Sequence, residues 1–184
     1  MAIGIILAGG YSSRTKTNKM ALMIEEKPLL HHTIAAMAKV VDDIIIVSGH
    51  HHEEIKQLTK AFKHVEVVYN QAYDQGMFAS VKCGFKHAYD SVLIQPGDMP
   101  FVKASTYLTI LNGHGLMRIP VYQGKKGHPI YIDITLKEEL LNTKAPHLKA
   151  FRDQHDFHAI AVDDSGILID IDTMADYKKF RKGL

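Results

Sequence analysis

Apolar positions along the chain fall into short runs separated by polar or glycine-bearing stretches. Residues 2–7, 44–47, 65–69 and 92–94 are rich in β-branched side chains and bounded by Gly, Asn or Pro, the pattern of strands covered on both faces. Between them the period changes. Leu30, Ile34, Met37 and Val41 recur at helical spacing after Pro28, which suits a first helical turn, and Val81, Phe85 and Ala88 form a second stripe. Strand alternating with helix predicts a mostly parallel, doubly wound α/β sheet. After Gly97-Asp98 the rhythm shifts: residues 117–123 and 128–132 read as two strands around the turn 124–127, a small β-hairpin added to the main sheet. A last strand is predicted over 167–171. Thr173, with Asp176 three residues on, predicts a capped terminal helix docked by Tyr177, Phe180 and Leu184.

Composition narrows the class. The chain has 184 residues, 46% of them hydrophobic, with one Cys and no Trp. A domain of this size buries roughly 70% of its unfolded surface, so one domain over residues 1–184 needs no disulfide or structural metal. Cys83 has no partner within the chain, and the N-terminus lacks the basic stretch and apolar run of a secretory signal, so a reducing cytoplasm is expected. No apolar run approaches the roughly 18 residues of a membrane span. The balance of 22 Lys and Arg against 20 Asp and Glu creates no overall field for nucleic acid. Any anion site is therefore local.

In open α/β sheets ligands bind beyond the carboxyl ends of the strands. The first such loop runs from Leu7, Ala8, Gly9 and Gly10 through Arg14 and Lys16 to Lys19. Two glycines let backbone N–H groups approach a ligand and the cations supply charge, as a polyphosphate cradle requires; the same residues also read as a Gly turn with solvated lysines. The loop is neither a Walker A sequence nor G-x-G-x-x-G. Asp98, in the loop 95–100 directly after the strand 92–94 and ahead of Pro100, is placed to hold a hard cation such as Mg²⁺. A second carboxylate would come from Asp170, which the period of two puts on one face with Asp172. Each also reads as a turn or cap residue, and Asp172, just before Thr173, keeps that reading. The tract His50-His51-His52-Glu53-Glu54 reads as a solvated helix entrance, because adjacent imidazoles seldom converge on one ion.

Several ordered motifs together resemble one family, the nucleotidyltransferases of molybdenum-cofactor maturation, in particular the molybdopterin cytidylyltransferase-like branch. They are Leu7-Ala8-Gly9-Gly10 to Arg14, Asn18-Lys19, Lys27-Pro28-Leu29-Leu30, Asn70 through Gly76 to Val81, Gly97-Asp98-Met99-Pro100, Gly127-His128-Pro129-Ile130, and Asp170-Ile171-Asp172-Thr173 to Tyr177. The resemblance implies a Rossmann-like three-layer fold, transfer of a nucleoside monophosphate from an NTP, release of pyrophosphate and a need for Mg²⁺. Carried over by position, Leu7, Ala8, Gly9, Gly10, Arg14 and Lys19 would hold the nucleotide together with Gly76 and Ser80. Arg14, Lys19 and Asp98 would serve catalysis, Asp98 and Asp170 would hold the metal, and Gly127, His128 and Pro129 would face a molybdopterin-type acceptor. His128 also reads as a polar residue that merely starts a strand.

Two departures from the family pattern stand out. Thr15-Lys16 replaces the usual Met-Gly, and Gly9 stands where cytidylyl members carry Ala, as in the guanylyl branch. The motifs at 127–129 and 170–173 favour CTP over GTP. A sugar phosphate or another small phosphate is the alternative acceptor. A non-catalytic reading keeps the same residues for binding a nucleotide or the cofactor and handing it to a molybdenum hydroxylase.

Overall fold

β1 (Ala2–Ala8) is buried along its whole length and divides its side chains between two cores. Ile6 points into one and Ile3, Ile5 and Leu7 into the other, as the period of two demands. The computed structural model describes residues 2–11 and 17–183. The first core is roofed by α1 (Leu29–Met37) and α4 (Ala104–Leu111), with Ile55 added from α2 (His52–Thr59); the second lies under α3 (Met77–His87), α5 (Lys137–Asn142) and α6 (Leu148–Arg152). Two helical layers thus sandwich one sheet.

The parallel half of the sheet is β6 (Ser91–Pro96), β1, β4 (Ile44–Ser48) and β5 (Val65–Tyr69), in that spatial order. All four begin at one edge of the molecule and deliver their following loops to the other. Beyond β6 the direction reverses. β9 (Ile130–Ile132) pairs antiparallel with both β6 and β7 (Met117–Tyr122), so it inserts into the main sheet. β7 turns at Gln123-Gly124 into the two-residue β8 (Lys125–Lys126), and β10 (Phe157–Ala161) adds a parallel edge strand to β7. A separate antiparallel hairpin pairs β2 (Met23–Ile24) with β3 (Lys27–Pro28).

The strand predicted over 167–171 does not form. Asp164 caps a 3-10 turn over Ser165–Leu168, and the extended stretch that follows makes single bonds instead of a ladder: the Ile171 N–H donates to the Asp98 carbonyl at 2.9 Å. α7 (Met174–Phe180) then begins with the expected capping box between Thr173 and Asp176. It docks through the Tyr177 hydroxyl, which donates to the Met23 carbonyl, and through Phe180 against Phe101; Leu184 lies outside the described residues. No helix among the described residues is long and apolar enough to cross a membrane.

Candidate active site

The loops after β6, β1 and β5 line a cavity of about 360 Å³ at the carboxyl edge of the parallel strands, with the loop after β4 packed behind them through Gly49. Its floor is the end of β1: Leu7, Gly9 and Gly10 line it, whereas the Ala8 side chain packs into the core. The glycines are needed for contact between neighbouring loops. A Cβ on Gly49, after β4, would lie 2.5 Å from the Gly9 carbonyl oxygen, and one on Gly9 would lie 3.2 Å from Ser80 Oγ.

Asp98 is held from several sides. The Gly97 N–H donates to the Leu7 carbonyl at 2.9 Å and Thr33 donates to the Gly97 carbonyl at 3.1 Å. Beneath the loop, fully buried Gln95 donates from Nε2 to the Met99 carbonyl at 2.9 Å and accepts from the buried Tyr107 hydroxyl at 2.7 Å. The carboxylate this network presents accepts from Lys19 Nζ at 2.5 Å through Oδ2, while its Oδ1 is buried and has no hydrogen-bond partner among the described residues. Lys19 is delivered by a 3-10 turn capped by Asn18, whose Oδ1 accepts from the Met20 N–H at 3.1 Å.

The same ammonium donates to Asp172 Oδ1 at 2.9 Å. Burial opposes the charge on Lys19, but Asp98 and Asp172 outweigh it and hold the ammonium above its ordinary pKa. Asp170, placed one step outward and exposed, does not line the cavity; its carboxyl is pushed up by partial desolvation, then by Asp172 and Asp98. Asp172, which the sequence marks only as a neighbour of the helix cap, thus lines the cavity with Asp98 and shares Lys19 with it, while Asp74 lines the same cavity beside Tyr73. The one signal for Asp172 was the shared face with Asp170.

The structure also brings Gly76 and Ser80 to this cavity. Gly76 takes the cap position of α3, and Ser80 Oγ, one turn in, accepts from Asn70 Nδ2 at 3.0 Å. Arg14 lies outside the described residues, as do the replacements Thr15 and Lys16. The His tract enters α2 as expected: His51 pairs with Glu54, and His52 Nδ1 sits 2.6 Å from Ser48 Oγ. Among the described residues no three His, Cys, Asp or Glu side chains form a ready metal cage. The open oxygen of Asp98 nonetheless suits a divalent cation, since a buried carboxylate oxygen with no donor is a costly feature unless a positive ligand meets it.

A second cavity, of about 440 Å³, adjoins the first and shares Gly76 and Met77 with it. Gly127 and His128 line it, whereas Pro129 is buried. Desolvation pulls the His128 imidazole down to about 4, so it is neutral at pH 7. Apolar walls from Phe78, Ile119 and Leu148 face Lys126 and Arg152, which both lie over the Phe157 ring, at 4.5 and 4.9 Å from its centre. Neither cation was marked in the sequence, because the turn and the helix that carry them look like ordinary solvated surface.

A family model described as MobA-like NTP transferase domain matches residues 4–159, a segment that ends before Asp170 and Asp172. No curated protein matched the chain. Among solved structures, a nucleotidyl transferase from Methanothermobacter thermautotroptrophicus superposes with a TM-score of 0.85 at 21% identity, covering 97% of this chain and 95% of the other. Rv0371C from Mycobacterium tuberculosis H37Rv, in complex with manganese, gives 0.80 at 21% identity over 97% and 96%. Molybdopterin-guanine dinucleotide biosynthesis protein A from Archaeoglobus fulgidus gives 0.74 at 17% over 96% and 95%. At these identities the likeness is one of fold.

Proposed function

The chain belongs to the family of MobA-like NTP transferase domains and is a nucleotidyltransferase, and from that premise we propose that it moves CMP from CTP onto the terminal phosphate of molybdopterin. The observation that carries this reading is the pair of cavities meeting at Gly76 and Met77. One has glycine backbone, Lys19 and paired carboxylates, as a nucleotide needs; the other has an apolar slot rimmed by Lys126 and Arg152, as a ring system bearing a phosphate needs. Their junction is where the two substrates would touch.

Chemically, an acceptor phosphate oxygen attacks the α-phosphorus of the NTP. The new P–O bond forms as the bond to the bridging oxygen breaks, and pyrophosphate leaves with the electron pair. A phosphate monoester, with a second pKa near 6, is already ionised at neutral pH, so no general base is required. The protein's task is to align two anions and neutralise charge. Gly9 and Gly10 would present backbone donors, Arg14 and Lys19 would follow charge onto the leaving pyrophosphate, and neutral His128 would hydrogen-bond the acceptor without attracting a second phosphate by charge. Nucleotidyltransferases of this family use divalent metals. Asp98, with Asp172 and Asp170 beside it, would hold Mg²⁺, which when bound supplies further neutralisation of the phosphates.

One feature favours GTP as a second reading. The missing Cβ at Gly9 leaves space beside Ser80, where Ala would press on the hydroxyl at 3.2 Å. The test of both is pyrophosphate release from each NTP in turn, with Mg²⁺ and molybdopterin. Release with CTP alone supports the reading; release with GTP alone moves the base to guanine; release with a sugar phosphate but not molybdopterin rejects the acceptor.

A further inference from the structure

We propose that Tyr11 and Tyr73 form an aromatic wall on which the nucleobase of the NTP stacks; this rests on reading the cavity beside Gly9 as the nucleotide site. The order of strands gives that cavity a direction. Asp98 follows β6 and draws Lys19 to its side, whereas Tyr11 follows β1, His50 follows β4 and Tyr73 follows β5, so Lys19 and its two carboxylates gather at one end and the rings, with Asp74 beside Tyr73, at the other.

The rings form one cluster. Tyr11 and Tyr73 lie 5.2 Å apart between centres, both line the cavity, and His50 lies 5.1 Å from Tyr11 and 6.2 Å from Tyr73. The Tyr73 hydroxyl is raised above its ordinary pKa chiefly by its neighbour Tyr11, in keeping with the contact of the two rings. Tyr73 is packed against Gly49, where an added Cβ would come 2.6 Å from Tyr73 Cβ. Tyr11, by contrast, stays 50% exposed, so its ring is open to a flat ligand in the cavity it lines. A base seated between this wall and Ser80 would leave its triphosphate pointing toward Lys19.

Stacking on a ring is tolerant of base identity, so Tyr11 and Tyr73 would supply affinity, and the choice of base would fall to Ser80, whose hydroxyl is oriented by the buried Asn70 behind it. The test is calorimetric binding of CTP, GTP and inorganic tripolyphosphate to the full chain with Mg²⁺, for the wild type, Tyr11→Ala, Tyr73→Ala and the matching Phe variants. Loss of one stacking partner should weaken both nucleotides by roughly 5- to 150-fold. Tripolyphosphate, which has no base, should bind unchanged, and the Phe variants should keep most of the wild-type affinity. Ala variants that bind CTP as tightly as the wild type, or that lose CTP and tripolyphosphate equally, overturn the proposal. A wild-type protein that binds neither nucleotide overturns the cavity assignment and the wall together.

Discussion

Lys19 Nζ lies 2.5 Å from Asp98 Oδ2, while the other oxygen of the same carboxylate is buried with no hydrogen-bond partner among the described residues. One side chain is therefore divided between a fixed ammonium and an open coordinating position. Replacing Asp98 by Asn removes the charge and keeps the shape, and the backbone bond from the Ile171 N–H to the Asp98 carbonyl is untouched. Loss of one preorganised electrostatic group costs about 10² to 10³ in rate. Asp98→Asn should fall that far in kcat, measured by pyrophosphate release, with a thermal midpoint close to the wild type. Near-normal turnover would remove Asp98 from the catalytic set.

Lys19 also stands between two carboxylates, since it donates to Asp172 at 2.9 Å. In Lys19→Met those carboxylates face each other without the ammonium, and like charges at short range favour uptake of a cation. Nucleotide-free Lys19→Met should bind Mn²⁺ more tightly than the wild type in a titration calorimeter, while its affinity for NTP falls because a phosphate partner is gone. Weaker Mn²⁺ binding by this variant would mean that Lys19 does not compete for the acidic pair.

The loop that presents Asp98 rests on a buried pair, the Tyr107 hydroxyl and Gln95 Oε1 at 2.7 Å. Tyr107→Phe leaves that amide oxygen buried and unpaired, a cost of about 1–3 kcal/mol. Urea denaturation should register the loss. The double variant with Gln95→Leu should lose less than the sum of the two single changes, since the shared bond can be broken only once. Strict additivity would show that the pair does not act as a unit.

These examples indicate what the sequence could disclose. The capping box at Thr173 and Asp176 was legible because both partners are local, and Asp98 was legible because it directly follows an apolar strand. Asp172 was hidden: its partner Lys19 is 153 positions away, and the nearer signal was a helix cap. The apolar stretch at 167–171 imitates a strand, yet Asp164 Oδ1 accepts from the Gly166 N–H and turns the chain there, and Ile167 and Ile171 are buried one at a time. β10 was missed for the opposite reason. As an edge strand, half-exposed and paired only with β7, Phe157–Ala161 carries neither a continuous apolar run nor a clean alternation. The aromatic cluster of Tyr11, His50 and Tyr73 is assembled from three loops, so no window of sequence contains it.

His128 gives the fold a dependence on pH. Its imidazole sits at about 4 when folded, against an ordinary value of 6.5. Between these values the unfolded chain takes up a proton that the folded chain refuses, so stability is complete above pH 6.5 and is lost as pH falls toward 4. From pH 7 to 5 the single group accounts for about 2 kcal/mol. His128→Gln should flatten the denaturation midpoint over this range relative to the wild type. An unchanged slope would place the titration in other histidines.

The second cavity makes a different kind of claim, because its cations should act on one substrate only. Lys126 and Arg152 share the Phe157 ring, and Arg152 is further anchored by Asp153 Oδ1 at 2.6 Å from its Nη2. That anchor fixes the guanidinium in place, and the lining of the first cavity includes neither cation. A hydrogen bond to a charged group is worth about 1.5–3 kcal/mol, which corresponds to roughly 10- to 150-fold in binding. Arg152→Ala and Lys126→Ala should each raise the KM for the phosphorylated acceptor toward that range and leave the KM for NTP within about twofold of the wild type. A rise in both constants would show that the two cavities are one site, and an unchanged acceptor KM would place the acceptor elsewhere.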